Sequence, residues 1–111
     1  MVQYRPRLDD TFAALSDPTR RGILERLGRK DASITDLASA FRMTLTGMKK
    51  HVRILEDAGL VETEKVGRIR VCRLGSRPLE KEAAWIESYR KTLEERLNRL
   101  EAFLERTQEN A

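Results

Sequence analysis

The apolar positions change period along the chain, and each change marks an element. Leu8, Phe12 and Leu15 follow one another at steps of four and three, which places their side chains on one face of a helix. Ser16-Asp17-Pro18 interrupts the pattern. Asp17 predicts an N-cap and Pro18 the first turn of a second helix, which carries Ile23, Leu24 and Leu27 as far as Gly28. That glycine is suited to the left-handed conformation that commonly closes a helix. Arg29 to Ala32 reads as a polar loop. Ser33, with Asp36 three residues on, resembles a capping box for a short third helix striped by Leu37, Ala38 and Phe41. Arg42-Met43 makes a tight connection to a fourth helix, from about Thr44 to Glu56, capped by Thr44 and ended by Ala58-Gly59. Its buried side is expected to hold Met48, Val52, Ile54 and Leu55.

Past this point β-branched residues take over. Leu60 to Lys65 and Ile69 to Leu74 predict two strands, joined as a hairpin through Val66-Gly67-Arg68. After a break at Gly75 to Pro78, a long helix is expected from about Leu79 to Arg106. Along it Ile86, Leu93, Leu97, Leu100 and Leu104 stand seven, four, three and four residues apart, a coiled-coil-like seam. The fold class is therefore mainly α: helices, a two-stranded wing and a long C-terminal helix. Residues 1–77 are expected to form the winged helix-turn-helix part, and 78–111 the C-terminal helix of the same compact domain.

Charge sharpens this picture because it is unevenly spread. Residues 1–77 hold 16 Lys and Arg against 10 Asp and Glu, a balance of +6, whereas 78–111 hold 6 against 8, a balance of −2. Between Leu37 and Leu55 there are four basic residues and no acid. Such a stretch suits a polyanionic partner, and equally a solvated basic face. Two helices joined by a tight turn, the second basic outside and apolar behind, are what reading a DNA major groove requires.

With Met48, Val52 and Leu55 inward, the candidate DNA contacts are Thr44, Leu45, Thr46, Lys49, Lys50 and Arg53. Thr44 and the first helix amides would meet a phosphate, and the lysines a phosphate or a guanine edge. Leu45 is open between a thymine-methyl contact and partial burial. His51 is open between a phosphate contact and a half-buried ring bonded to the backbone. At the hairpin, Lys65, Arg68 and Arg70 could track the backbone or enter the minor groove; Arg68 is favoured for DNA by its place beside Gly67 in an exposed turn, and Arg70 has the alternative of covering strand surface with its stem.

These pieces also occur in a recognisable order. Ala14-Leu15-Ser16-Asp17-Pro18-Thr19-Arg20-Arg21, Thr35-Asp36-Leu37-Ala38, the run from His51 to Val61, and Gly67-Arg68 to Arg73-Leu74 resemble the ArsR family of bacterial winged-helix repressors. Trp85-Ile86-Glu87-Ser88-Tyr89-Arg90 followed by Glu95-Arg96-Leu97 resembles its metal-independent SdpR-like branch. The resemblance implies a homodimer paired through its first and last helices, which binds an imperfect palindrome and represses its own operon. On that reading Leu8, Phe12, Ile86, Tyr89, Leu93, Leu97, Leu100 and Leu104 are the candidate dimer-interface residues. A purely intradomain role for Trp85, Tyr89 and Leu93 is the alternative. Where metal-sensing members carry a Cys-x-Cys pair in the third helix, this chain has Ile34, Thr35, Asp36 and Leu37, and its last helix has no His. No metal and no cofactor are expected, and the inducer is left open. Leu45 and Gly47 also depart from the family pattern at the start of the recognition helix.

Enzymatic function is not expected. His51 and Cys72 are the only members of their types, and no glycine-rich phosphate loop accompanies them, so no set of nucleophile, base and orienting group is assembled. Cys72 is expected as a buried structural thiol, with a redox role as the alternative. One cysteine fits a reducing compartment, and the residues from Met1 to Asp10 carry no apolar run, so a cytoplasmic location away from membrane is expected. The competing functional reading is a winged-helix protein-interaction module in which Leu45 and Met48 dock a partner and the lysines only solubilise.

Overall fold

The computed structural model describes residues 6–109, with side chains from Leu8 onward. They fall into two compact units that divide between Pro78 and Leu79. The first contains α1 (Pro6–Leu15), α2 (Pro18–Leu27), β1 (Ala32–Ser33), α3 (Ile34–Ala40), α4 (Leu45–Asp57), β2 (Val61–Val66) and β3 (Ile69–Leu74); the second is α5 (Glu80–Glu109).

Three helices begin in the same way. Asp17, Ser33 and Thr44 are extended N-cap residues whose side-chain oxygens accept from the backbone N–H of Arg20 (3.0 Å), Asp36 (3.0 Å) and Gly47 (3.1 Å). Each cap satisfies an orphan donor of the first turn and contributes about 1 kcal/mol. Both helices of the helix-turn-helix also end alike. After α3, the Arg42 N–H donates to Ser39 O and Met43 N–H to Ala38 O; after α4, Gly59 N–H donates to Glu56 O and Leu60 N–H to Leu55 O. These are Schellman closures, which require a left-handed residue after the C-cap. Gly59 (φ 76°) fills that position without strain, while Arg42 (φ 54°) fills it with a Cβ.

Gly28 departs from expectation, because it is right-handed at φ −64° and ψ −21°. The end of α2 instead continues as a turn in which Arg29 and Lys30 both donate to Arg26 O, so no left-handed residue is needed. Ile54 is also corrected: it is 41% exposed, whereas Met48, Val52 and Leu55 are buried. The buried three repeat at steps of four and three, and at 100° per residue Ile54 turns away from their face.

The wing gains a strand. Ala32–Ser33, expected at the end of a loop, pairs antiparallel with β3 (Ala32 with Cys72, Ser33 with Val71), giving the order β1-β3-β2. Two residues are too few to show a period-2 pattern, so only the fold reveals this strand. The hairpin closes one residue tighter than expected, with Val66 opposite Ile69 and Gly67 (φ 63°) in the first central position of a two-residue turn. Where β3 ends, Gly75 N–H donates to Leu60 O at 2.9 Å. A Cβ at this position would collide with the Gly59 carbonyl oxygen.

The core of this unit gathers Ile23, Leu27, Leu37, Met48, Val52, Leu55 and Val61. Burial of each such side chain is worth roughly 1.5–3 kcal/mol, so α4 is held from behind while its other face stays free. In the second unit, Ile86, Tyr89, Leu93, Leu97, Leu100 and Leu104 all remain exposed, together with Trp85 and Phe103. Trp85 and Tyr89 stack with ring centroids 5.9 Å apart, and Arg90 pairs with Glu87 (3.2 Å) and Glu94 (3.7 Å).

Candidate nucleic-acid interface

The amphipathic character of α4 sets the geometry of the site. Met48, Val52 and Leu55 anchor one side in the core, and Thr44, Leu45, Thr46, Lys49, Lys50 and Arg53 are exposed. Leu45 is 41% exposed at the first position of the helix, which places it at the surface and not in the core. The Thr44 hydroxyl oxygen accepts from Gly47 N–H, so its proton is still available to an acceptor outside the helix. The N-terminal end of α4 thus combines free backbone donors, the positive end of the helix dipole and two lysines.

His51 is placed differently. Its ring is half-buried, with Nδ1 3.3 Å from Arg20 Nη1 and 4.0 Å from Asp17 Oδ2. Because a guanidinium only donates, the neutral ring that fits this contact is the one with Nδ1 as acceptor and the proton on Nε2. The partner is therefore a side chain of α2, not the backbone. Arg20 does more: Nε donates to Ala14 O (2.8 Å) and Nη2 to Ala13 O (3.1 Å), while Arg21 Nη1 donates to Leu15 O (2.7 Å). Two arginines in the first turns of α2 oppose the dipole of their own helix, and the carbonyl end of α1 supplies the compensation. That misplaced pair of charges is the signal by which the sequence could have revealed them as structural residues.

On the hairpin, the register puts Val61, Thr63 and Lys65 on the same face as their partners Leu74, Cys72 and Arg70. Cys72 on that face is buried, so the face turns toward the helices. The opposite face carries Glu64 and Arg73, ion-paired at 2.6 Å. Arg68 is exposed in the turn beside Gly67. Arg70 instead donates through Nη1 to Thr63 Oγ1 (2.9 Å), and that hydroxyl donates to Glu56 Oε2 on α4 (2.5 Å). Neither Glu56 nor Thr63 stands out in the sequence, because the bond depends on the wing folding back against α4.

Burial pushes the Cys72 thiol up from its ordinary value, with the Glu56 charge adding to the effect and Arg70 opposing it. The thiolate required for oxidation is thereby disfavoured, which favours the structural role. Of the candidate interface residues, Leu8 and Phe12 are half-buried on α1, and the other six lie exposed on α5. Among the described residues no group of three or more His, Cys, Asp or Glu is placed to hold a metal ion, and no helix is long and apolar enough to cross a membrane.

A helix-turn-helix with a basic second helix, followed by a hairpin wing, defines a DNA-binding protein of the winged-helix class. Comparison with known proteins agrees. A helix-turn-helix domain family matches residues 15–64. The chain is 36% identical to the uncharacterized HTH-type transcriptional regulator YuzN of Bacillus subtilis, over 71% of this chain and 95% of the relative. It is 28% identical to the transcriptional repressor SdpR of the same organism, over 74% of this chain and 91% of the relative. The crystal structure of an ArsR family transcriptional regulator is 40% identical and superposes with a TM-score of 0.73, covering 85% of this chain and 97% of that one. The chain belongs to the ArsR family of winged helix-turn-helix transcriptional regulators, a family of DNA-binding proteins and not of enzymes.

Proposed function

We propose that this protein is a cytoplasmic homodimeric repressor that binds an imperfect palindrome in its own upstream DNA. The observation that carries the reading is the exposed face over the N-terminal turns of α4, formed by Thr44, Leu45, Thr46, Lys49, Lys50 and Arg53, whose charged members are all basic. In this reading α4 enters the major groove, Leu45 meets a thymine methyl, the lysines meet phosphates or guanine edges, and Arg68 reaches the adjacent backbone from the wing. His51 is half-buried beside that surface and Arg70 lies on the wing facing it, each held by a protein partner. The apolar stripe of α5 supports dimerisation, because eight large hydrophobic side chains exposed along one helix need a partner surface. A two-fold dimer would set its recognition helices ~34 Å apart, one turn of DNA.

The test is fluorescence anisotropy of the purified protein with a labelled duplex of the DNA upstream of its own gene and with a shuffled duplex, across a salt series. A preference of about 1,000-fold or more with a steep salt slope supports a specific reader. Equal weak binding to both duplexes defeats this reading. Lys49→Ala/Lys50→Ala should abolish the preference while leaving the circular dichroism spectrum unchanged.

A further inference from the structure

We propose that Glu56, Thr63 and Arg70 form a latch that fixes the wing at a set distance from the recognition helix, making Arg70 a positioning residue instead of a phosphate contact. This rests on the DNA-binding reading above and goes beyond it by dividing the basic residues of the wing into two roles.

The latch follows from the pleat and the helix period together. Lys65 and Arg70 are directly opposed on the inner face of the hairpin, a like-charge cross-strand pair that is unfavourable unless an anion is near. On α4, Lys49, Arg53 and Glu56 recur at steps of four and three, so they form a stripe beside the buried row of Met48, Val52 and Leu55. Glu56 is the acid of that stripe and ends it, opposite the base of the wing. Thr63 relays between the two elements, since its one hydroxyl accepts from Arg70 Nη1 and donates to Glu56 Oε2. A hydroxyl that both accepts and donates has its proton direction set, and the guanidinium polarises it, which strengthens its bond to the carboxylate.

Between α4 and the wing lies an open groove lined by the basic Lys49, Arg53 and Arg70, by Thr63, and by the acidic Glu56 and Asp57 at its α4 C-terminal end. Its basic residues on the helix side are free of hydrogen-bonded acids in the bonds described, while Arg70 is committed to Thr63. A phosphodiester strand entering this groove would therefore meet Lys49 and Arg53 as its cations, with Arg70 setting the position of the opposite wall. Arg68, beyond the latch at the turn, keeps its charge available for a phosphate.

Counterion release separates the two roles. Loss of a phosphate contact lowers the slope of log K against log salt by about 0.9, whereas loss of a positioning bond weakens binding without changing the slope. The experiment is the anisotropy salt series on the full chain with its upstream duplex, for Thr63→Val, Arg70→Gln, the double variant, Glu56→Gln and Arg68→Gln. Thr63→Val keeps the β-branched shape and removes the relay. We expect Thr63→Val and Arg70→Gln each to weaken binding by about 5- to 10-fold at unchanged slope, with the double variant no worse than either alone. Glu56→Gln should match them, and Arg68→Gln should lower the slope by about 0.9. A lowered slope for Arg70→Gln, additive losses in the double variant, or unchanged or tighter binding by Thr63→Val would each overturn the latch. Hydrogen exchange of the wing amides from Lys65 to Arg70, measured without DNA, keeps the two readings apart. Wild-type protein that binds neither duplex defeats the DNA reading alone, while unchanged exchange in Thr63→Val defeats the latch alone.

Discussion

Arg20 and His51 meet where α1, α2 and α4 converge, with Nη1 of one 3.3 Å from Nδ1 of the other. The same guanidinium holds the Ala13 and Ala14 carbonyls at the end of α1, so one side chain ties the recognition helix to two others. Arg20→Met should therefore destabilise the protein by about 2–3 kcal/mol, from three net hydrogen bonds of about 1 kcal/mol each. Arg20→Lys should recover little of this, because one ammonium cannot reproduce the fork that reaches three acceptors. Urea unfolding of both variants checks the prediction, and a loss below about 0.5 kcal/mol would mean that water replaces the guanidinium at the carbonyls.

Arg42 carries a Cβ into the left-handed region at the turn between α3 and α4. That conformation costs a non-glycine residue roughly 1–2 kcal/mol, partly offset by the larger entropy glycine loses on folding. Arg42→Gly is expected to stabilise the protein by roughly 0.5 kcal/mol, read as a higher urea midpoint at constant slope. A lower midpoint would show that the Arg42 side chain contributes more than its backbone conformation costs.

Asp17 provides a prediction in pH. The Arg20 backbone N–H bonded to its carboxylate is the main cause of its lowered pKa; desolvation opposes this, and the charge of Arg20 adds to the lowering from an ordinary value of 3.8. A group whose folded value is depressed stabilises the fold above its unfolded value and loses that contribution as pH falls through its folded one. Asp17→Asn keeps the cap geometry without the charge. The wild type should exceed the variant in stability near neutrality, and the gap should close as pH falls through and below 3.8. Thermal melts across the acid range decide it, and a gap independent of pH would remove the charge from the explanation.

Leu97 and Leu100 lie at the middle of the exposed stripe of α5. If that stripe joins two chains, Leu97→Asp or Leu100→Asp should give monomers that lose binding to the upstream duplex, because a carboxylate buried in an apolar seam is not tolerated without a partner. Light scattering measures the mass directly. A mass unchanged from that of the wild type would place the interface elsewhere.

Most of the helical framework was legible in the chain because its signals are local. Asp17, Ser33 and Thr44 mark helix starts through a bond three residues away, and the spacing of Met48, Val52 and Leu55 marks the inner face of α4 wherever that helix packs. The exposed candidates on α4 followed from the same arithmetic, and the tip residue Arg68 from its place beside Gly67 in the turn. Ile54 was misread because apolar character was allowed to outweigh angular position. Strand β1 was missed because two residues carry no period.

What the tertiary structure alone decided is which polar side chains are already engaged. By sequence, Arg68 is favoured for DNA by its place in the turn, while His51 and Arg70 each stay open between a DNA contact and a structural role. In the fold, His51 accepts from Arg20, 31 positions earlier, and Arg70 is bound through Thr63 to Glu56, which leaves Arg68 exposed at the turn. Helix period and capping are short-range properties that the order of residues determines. The pairing of a charge with a partner on another element depends on how the elements pack, and no local pattern encodes it.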